Sequence, residues 1–138
     1  MKLKLYILTV LFALLFSCDG KFMIVNCNDC TESEPSTANI LLKLNPTGGS
    51  SAIINVFKGP VEDDILLETI STNATEYSYS GTLNTRYSFT AEYYFQDTQS
   101  TVVVVNSAYP RVKYEKQQCE NNCYYVYDNT VNLKVKYH

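Results

Sequence analysis

Tyr87-Ser88-Phe89-Thr90-Ala91-Glu92-Tyr93-Tyr94-Phe95 decides the fold. Tyr87, Phe89, Ala91, Tyr93 and Phe95 share one parity, and Ser88, Thr90, Glu92 and Tyr94 the other. Successive side chains of a β-strand point to opposite faces, so this pattern predicts a strand with one buried aromatic face and one wet face. The same period of two recurs on both sides. Ile40, Leu42 and Leu44 alternate with polar residues, and the Pro- and Gly-containing stretch 45–50 reads as a turn. Ala52, Ile54 and Val56 form the next apolar face, which Lys58-Gly59-Pro60 ends. Further strands are expected over 65–70 and 77–81.

Downstream, Val102-Val103-Val104-Val105 reads as a β-branched run buried on both faces. Tyr109-Pro110 breaks it, because proline cannot donate to a ladder. Residues 111–115 and 124–127 alternate again, Asp128-Asn129 is a tight turn, and Val131, Leu133, Val135 and Tyr137 form a last apolar face. No helical stripe appears after the N-terminal leader. Seven to nine short strands at this spacing predict an all-β fold, an antiparallel β-sandwich over residues 39–138, with a closed eight-stranded barrel as the alternative. Such a domain usually takes about 100 residues.

Ahead of it, Lys2 and Lys4 precede an apolar stretch over 5–16. Spanning a bilayer takes about 20 apolar residues, so the stretch is sized like the core of a signal peptide. It ends in Leu15-Phe16-Ser17-Cys18, which resembles a bacterial lipobox, although Phe16 stands where a small residue is commoner. The resemblance implies a signal peptide over 1–17, cleavage before Cys18, and a thioether-linked diacylglycerol with a further fatty acyl chain such as palmitate on that cysteine. Residues 18–38 then form a lipidated tether carrying Cys27 and Cys30. The implied location is the bacterial cell envelope, membrane-anchored on its periplasmic face or at the cell surface.

Cysteine parity agrees with this assignment. Five cysteines are an odd number, and giving Cys18 to lipid leaves Cys27, Cys30, Cys119 and Cys123 to pair. An exported chain meets an oxidising compartment, which favours structural disulfides over a thiolate zinc site or a redox pair. Three connectivities are open. The Asn121-Asn122 turn favours the local pattern, Cys27–Cys30 with Cys119–Cys123, over bonds joining the two ends.

Eleven Lys+Arg stand against 14 Asp+Glu, and removal of the leader takes the net charge from −3 to 9 − 14 = −5. Phosphate neutralisation needs a basic patch, so nucleic acid is not an expected partner. The only histidine is the last residue, and no phosphate loop, nucleophile elbow or zinc-protease motif occurs. The acidic triplet Glu62-Asp63-Asp64 lacks the spacing of a calcium loop and reads as an inter-strand turn. No catalytic residue, metal ligand or cofactor is expected, and the chain reads as a non-enzyme. Most of the twelve tyrosines are accounted for by cross-strand packing. Tyr94, Tyr125 and Tyr127 alternate away from the core side and form the candidate binding face.

The strand rhythm of Ile54-Asn55-Val56-Phe57-Lys58-Gly59, Leu66-Leu67-Glu68-Thr69 and 87–93 resembles transthyretin-like or Ig-like domains of small Bacteroidetes-type envelope lipoproteins. That resemblance implies a β-sandwich on a lipid stalk and carries over no functional residues. The expected function is a membrane-anchored binding or accessory module for a protein or glycan. A small redox or metal-binding protein using the four paired cysteines is the alternative.

Overall fold

The computed structural model describes residues 24–46 and 50–136. Nine strands run in chain order: β1 (Thr37–Lys43), β2 (Ala52–Lys58), β3 (Leu66–Thr72), β4 (Glu76–Thr82), β5 (Tyr87–Phe95), β6 (Ser100–Ala108), β7 (Arg111–Glu115), β8 (Cys123–Tyr127) and β9 (Thr130–Asn132). They form a three-stranded sheet, β4-β1-β9, a four-stranded sheet, β3-β2-β5-β6, and a separate hairpin, β7-β8. The first two sheets pack face to face as a sandwich. All pairings are antiparallel except β1 with β9, which run parallel through Leu42 opposite Val131.

Alternation explains the core. From one sheet, Ala38, Ile40, Leu42 and Leu44 point inward with Val131 and Leu133; from the other, Ala52, Ile54, Val56, Phe89, Ala91 and Tyr93 meet them. Rings lock the layers together. Tyr79 of β4 meets Phe89 and Tyr87 of β5 edge-on, with centroids 5.9 and 5.6 Å apart. Tyr87 Oη accepts a hydrogen bond from Thr82 N at 2.8 Å, and Tyr93 Oη donates to the Leu133 carbonyl at 2.8 Å. Gly81 is required here: a Cβ on it would sit 2.8 Å from Tyr87 Cε2 and 3.1 Å from Ile40 Cδ1. Burial, then the neighbouring Tyr87 and Glu68, raises the Tyr79 pKa above 10.0. The folded state thus favours the protonated phenol, and the stability this contributes is present below pH 10.0 and lost as pH climbs through the raised value.

Some expectations need correction. The valine run is not buried on both faces: β6 is the edge of its sheet, and Val103 and Val105 are exposed. Conversely, Ser88 and Thr90 lie on the expected wet face of β5 yet are buried. The turn after Gly59 folds beside Ser88, whose Oγ donates to the Gly59 carbonyl at 2.7 Å, and Asn55 Nδ2 reaches Thr90 Oγ1 at 3.4 Å. A register shift at Val56/Phe57 breaks the alternation of β2, so both of these neighbours are buried. The last strand is shorter than its sequence pattern, and Val135 instead pairs with the Asn45 side chain through both its N–H and its carbonyl.

Candidate functional site

Two surfaces combine exposed chemistry with a defined scaffold. The first is a cleft at the end of the four-stranded sheet. Gly59 adopts φ 82°, a left-handed conformation that glycine takes without strain, and its N–H bonds the Arg86 carbonyl at 2.8 Å. The chain then turns through Pro60 and a short 3-10 turn, Val61–Asp63, which closes on Asp64 at φ 52°. The result is an open depression of about 400 Å³ between this turn and the end of β6, lined by Val61, Glu62, Arg86, Ser88, Asn106 and Ser107. A second depression of about 510 Å³ shares Arg86 and Ser107 and adds Ala108 and Tyr109. Arg86 therefore stands where the two meet. It is exposed and makes no ion pair among the described residues. Its planar fork of donors, flanked by hydroxyl and amide groups and an aromatic ring, suits oxygen-rich ligands.

The second surface is the β7-β8 hairpin. Arg111 lies over Tyr127 and Tyr109, 4.8 and 5.4 Å from their centroids, and reaches Asp128 at 4.0 Å. On the other face Tyr114 and Tyr124 stack at 4.7 Å, Tyr114 Oη donates to Asn122 Oδ1, and Lys116 Nζ sits 5.4 Å from the Tyr114 centroid. Five of the tyrosines thus gather on one small hairpin and its approach, Tyr109, Tyr114, Tyr124, Tyr125 and Tyr127.

The expected Tyr94–Tyr125–Tyr127 face divides. Tyr125 and Tyr127 share one face of β8, with centroids 6.3 Å apart. Tyr94 does not join them. It pairs with Thr101, whereas the hairpin departs beyond Ala108, which pairs with Tyr87 at the opposite end of β5. Seven residues of strand place those ends about 23 Å apart. Tyr125 is also less available than its alternation suggested. It is half-buried, and its hydroxyl is buried with no hydrogen-bond partner among the described residues. An unsatisfied buried hydroxyl is a desolvation loss, so Tyr125→Phe is expected to raise stability by about 1 kcal/mol. Urea unfolding of the two proteins checks the sign.

The disulfides follow the crossed pattern, not the local one. Cys27 bonds Cys119 and Cys30 bonds Cys123, with sequence separations of 92 and 93. The chain bends at Glu120 and Asn121 between β7 and β8, but β8 starts at Cys123 and presents its free edge to the N-terminal segment. Thr31 pairs with Tyr124 there through two backbone hydrogen bonds of 2.9 Å. That pairing brings Cys30 beside Cys123, while the 3-10 turn Cys27–Asp29 sets Cys27 beside Cys119. The sulfurs of Cys30, Cys119 and Cys123 lie within 4.8 Å of one another. Cys18 and the expected signal peptide over 1–17 lie outside the described residues, and no helix among the described residues is long and apolar enough to cross a membrane.

Sequence reading missed the Arg86 cleft. Its lining comes from three separate segments, and the only local signal was an arginine immediately before the most strongly patterned strand. Comparisons of the chain with protein-family models, with curated proteins and with solved structures found no match.

Proposed function

We propose that the chain is a non-enzymatic, lipid-anchored module of the bacterial cell envelope, of the transthyretin-like or Ig-like lipoprotein kind, that binds a protein or glycan partner. The observation that carries the reading is the pair of long-range cystines, which suits an oxidising, exported compartment and begins nine residues after the lipobox-type Cys18. Binding is assigned to the Arg86 cleft, whose mixture of Arg86, Glu62, Asn106, Ser107 and Tyr109 favours a hydroxyl-rich glycan over an apolar peptide. Mass spectrometry of the Cys18 peptide from envelope preparations should find diacylglycerol. Screening the purified protein on a panel of envelope oligosaccharides should give a ligand that Arg86→Ala weakens by about tenfold or more, the scale of a lost charge-assisted hydrogen bond. An unmodified Cys18, or binding indifferent to Arg86→Ala, would sink the corresponding half of the reading.

The clustered sulfurs support a second reading, a metal or redox site formed when the bridges are reduced. Disulfide mapping with metal analysis separates the two: stable bridges without zinc remove it.

A further inference from the structure

We infer that the tip of the β7-β8 hairpin is the surface that rests on the membrane, in the zwitterionic headgroup layer around the anchor. This rests on lipidation of Cys18 and deepens the proposed function by fixing which part of the molecule faces the bilayer.

The argument is covalent first. Only seven Cα steps join Cys18 to Val25, a reach of at most about 25 Å. Val25 N–H is already held by Gln118 Oε1 of the hairpin tip at 3.0 Å, and two residues later Cys27 is bonded to Cys119 of the same tip. A lipid on Cys18 would therefore be tied to the hairpin and not to the start of the sandwich at Thr37. An intramolecular contact over so short a linker acts at an effective concentration on the order of millimolar, so even a weak affinity for lipid holds the tip down.

The chemistry of the tip suits that layer. Ile24, within the tether and next to Val25, is 88% exposed, and Tyr114 is 36% exposed against Tyr124, with Lys116 over its ring. Tyrosine rings with polar hydroxyls, and lysines with long apolar stems, settle at the boundary between headgroups and acyl chains. Lys113 and Lys116 share the hairpin with Glu115 and Glu120, and Asp29 lies in the 3-10 turn that Cys27 ties to it, so the patch carries no net positive charge and the attraction does not depend on anionic lipid.

The chain has no tryptophan, so one introduced indole is a unique reporter. Tyr114→Trp and Lys116→Trp at the tip are compared with Tyr94→Trp at the distant end of β5. Each mature lipidated protein, starting at Cys18, is reconstituted into phosphatidylcholine vesicles carrying bromine near the headgroup end of the acyl chain. Both tip reporters should be quenched roughly twofold or more over Tyr94→Trp, as for an indole held at the interface, and should keep that difference when anionic lipid is added. Equal quenching at tip and Tyr94 in protein whose Cys18 carries lipid overturns the orientation while leaving the anchor intact. A Cys18 without lipid overturns both.

Discussion

Replacing both cystines by serine pairs is expected to cost about 7 kcal/mol, whereas removing either one alone costs about 2.5 kcal/mol. Each bridge closes a loop spanning more than 90 residues of the unfolded chain. By the chain-entropy argument, the first such closure restricts the unfolded state by about 4.6 kcal/mol. The second then closes only the small ring formed by 27–30 and 119–123, which contributes about 2.5 kcal/mol. The two bridges are therefore partly redundant. A Cys27→Ser/Cys119→Ser protein keeps its long loop through Cys30–Cys123, and the reverse holds for the other pair. The quadruple variant loses both and falls by more than the two separate losses together. Urea unfolding under non-reducing conditions measures all three variants. A thiol titration adds a qualitative check. With crossed bonds the remaining pair in each double variant stays oxidised; with local bonds, removing Cys27 and Cys119 would leave two free sulfhydryls.

That pairing is also the clearest case of what the sequence could not convey. Asn121-Asn122 has the composition of a turn, and proximity along the chain makes a Cys119–Cys123 bond look natural. The deciding contact is Thr31 with Tyr124, a pairing across 93 residues that no local pattern announces. Strand parity, by contrast, is local, and it predicts the burial seen at Ile40, Leu42, Ile54, Phe89 and Tyr93. It failed where position within the sheet overrides it. Val103 and Val105 have the composition of a central strand, but β6 is an edge. Ser88 and Thr90 have the composition of a wet face, but a neighbouring turn and a crosslinking Asn55 cover them. The parallel β1-β9 pair and the Arg86 cleft belong to the same class, since both depend on strand order, and alternation carries no information about which strands become neighbours.

Phe89→Ala is the second large effect, expected to destabilise the protein by about 3–5 kcal/mol. Phe89 has no exposed surface, sits on the central strand β5 opposite Val56 and Asn106, and meets the edge of Tyr79 from the other sheet. Truncation removes its buried area and leaves a cavity that its neighbours cannot readily fill. Tyr79 is already engaged with Tyr87, and Tyr87 is held by its bond to Thr82 N, so neither ring can swing in without losing a contact of its own. A single domain is stable by only about 5–15 kcal/mol, so this one side chain carries a large share. Phe89→Leu, closer in volume, should lose much less. The contrast that tests the architecture is Val103→Ala, also in the four-stranded sheet but on its exposed face and edge strand, where the change should stay within about 0.5 kcal/mol. In urea unfolding, Phe89→Ala should shift the midpoint strongly with the slope unchanged, and Val103→Ala should barely move it. Equal shifts for the two would mean that the aromatic face of 87–95 is not the interior of a sandwich, and the packing of both sheets around it would have to be abandoned.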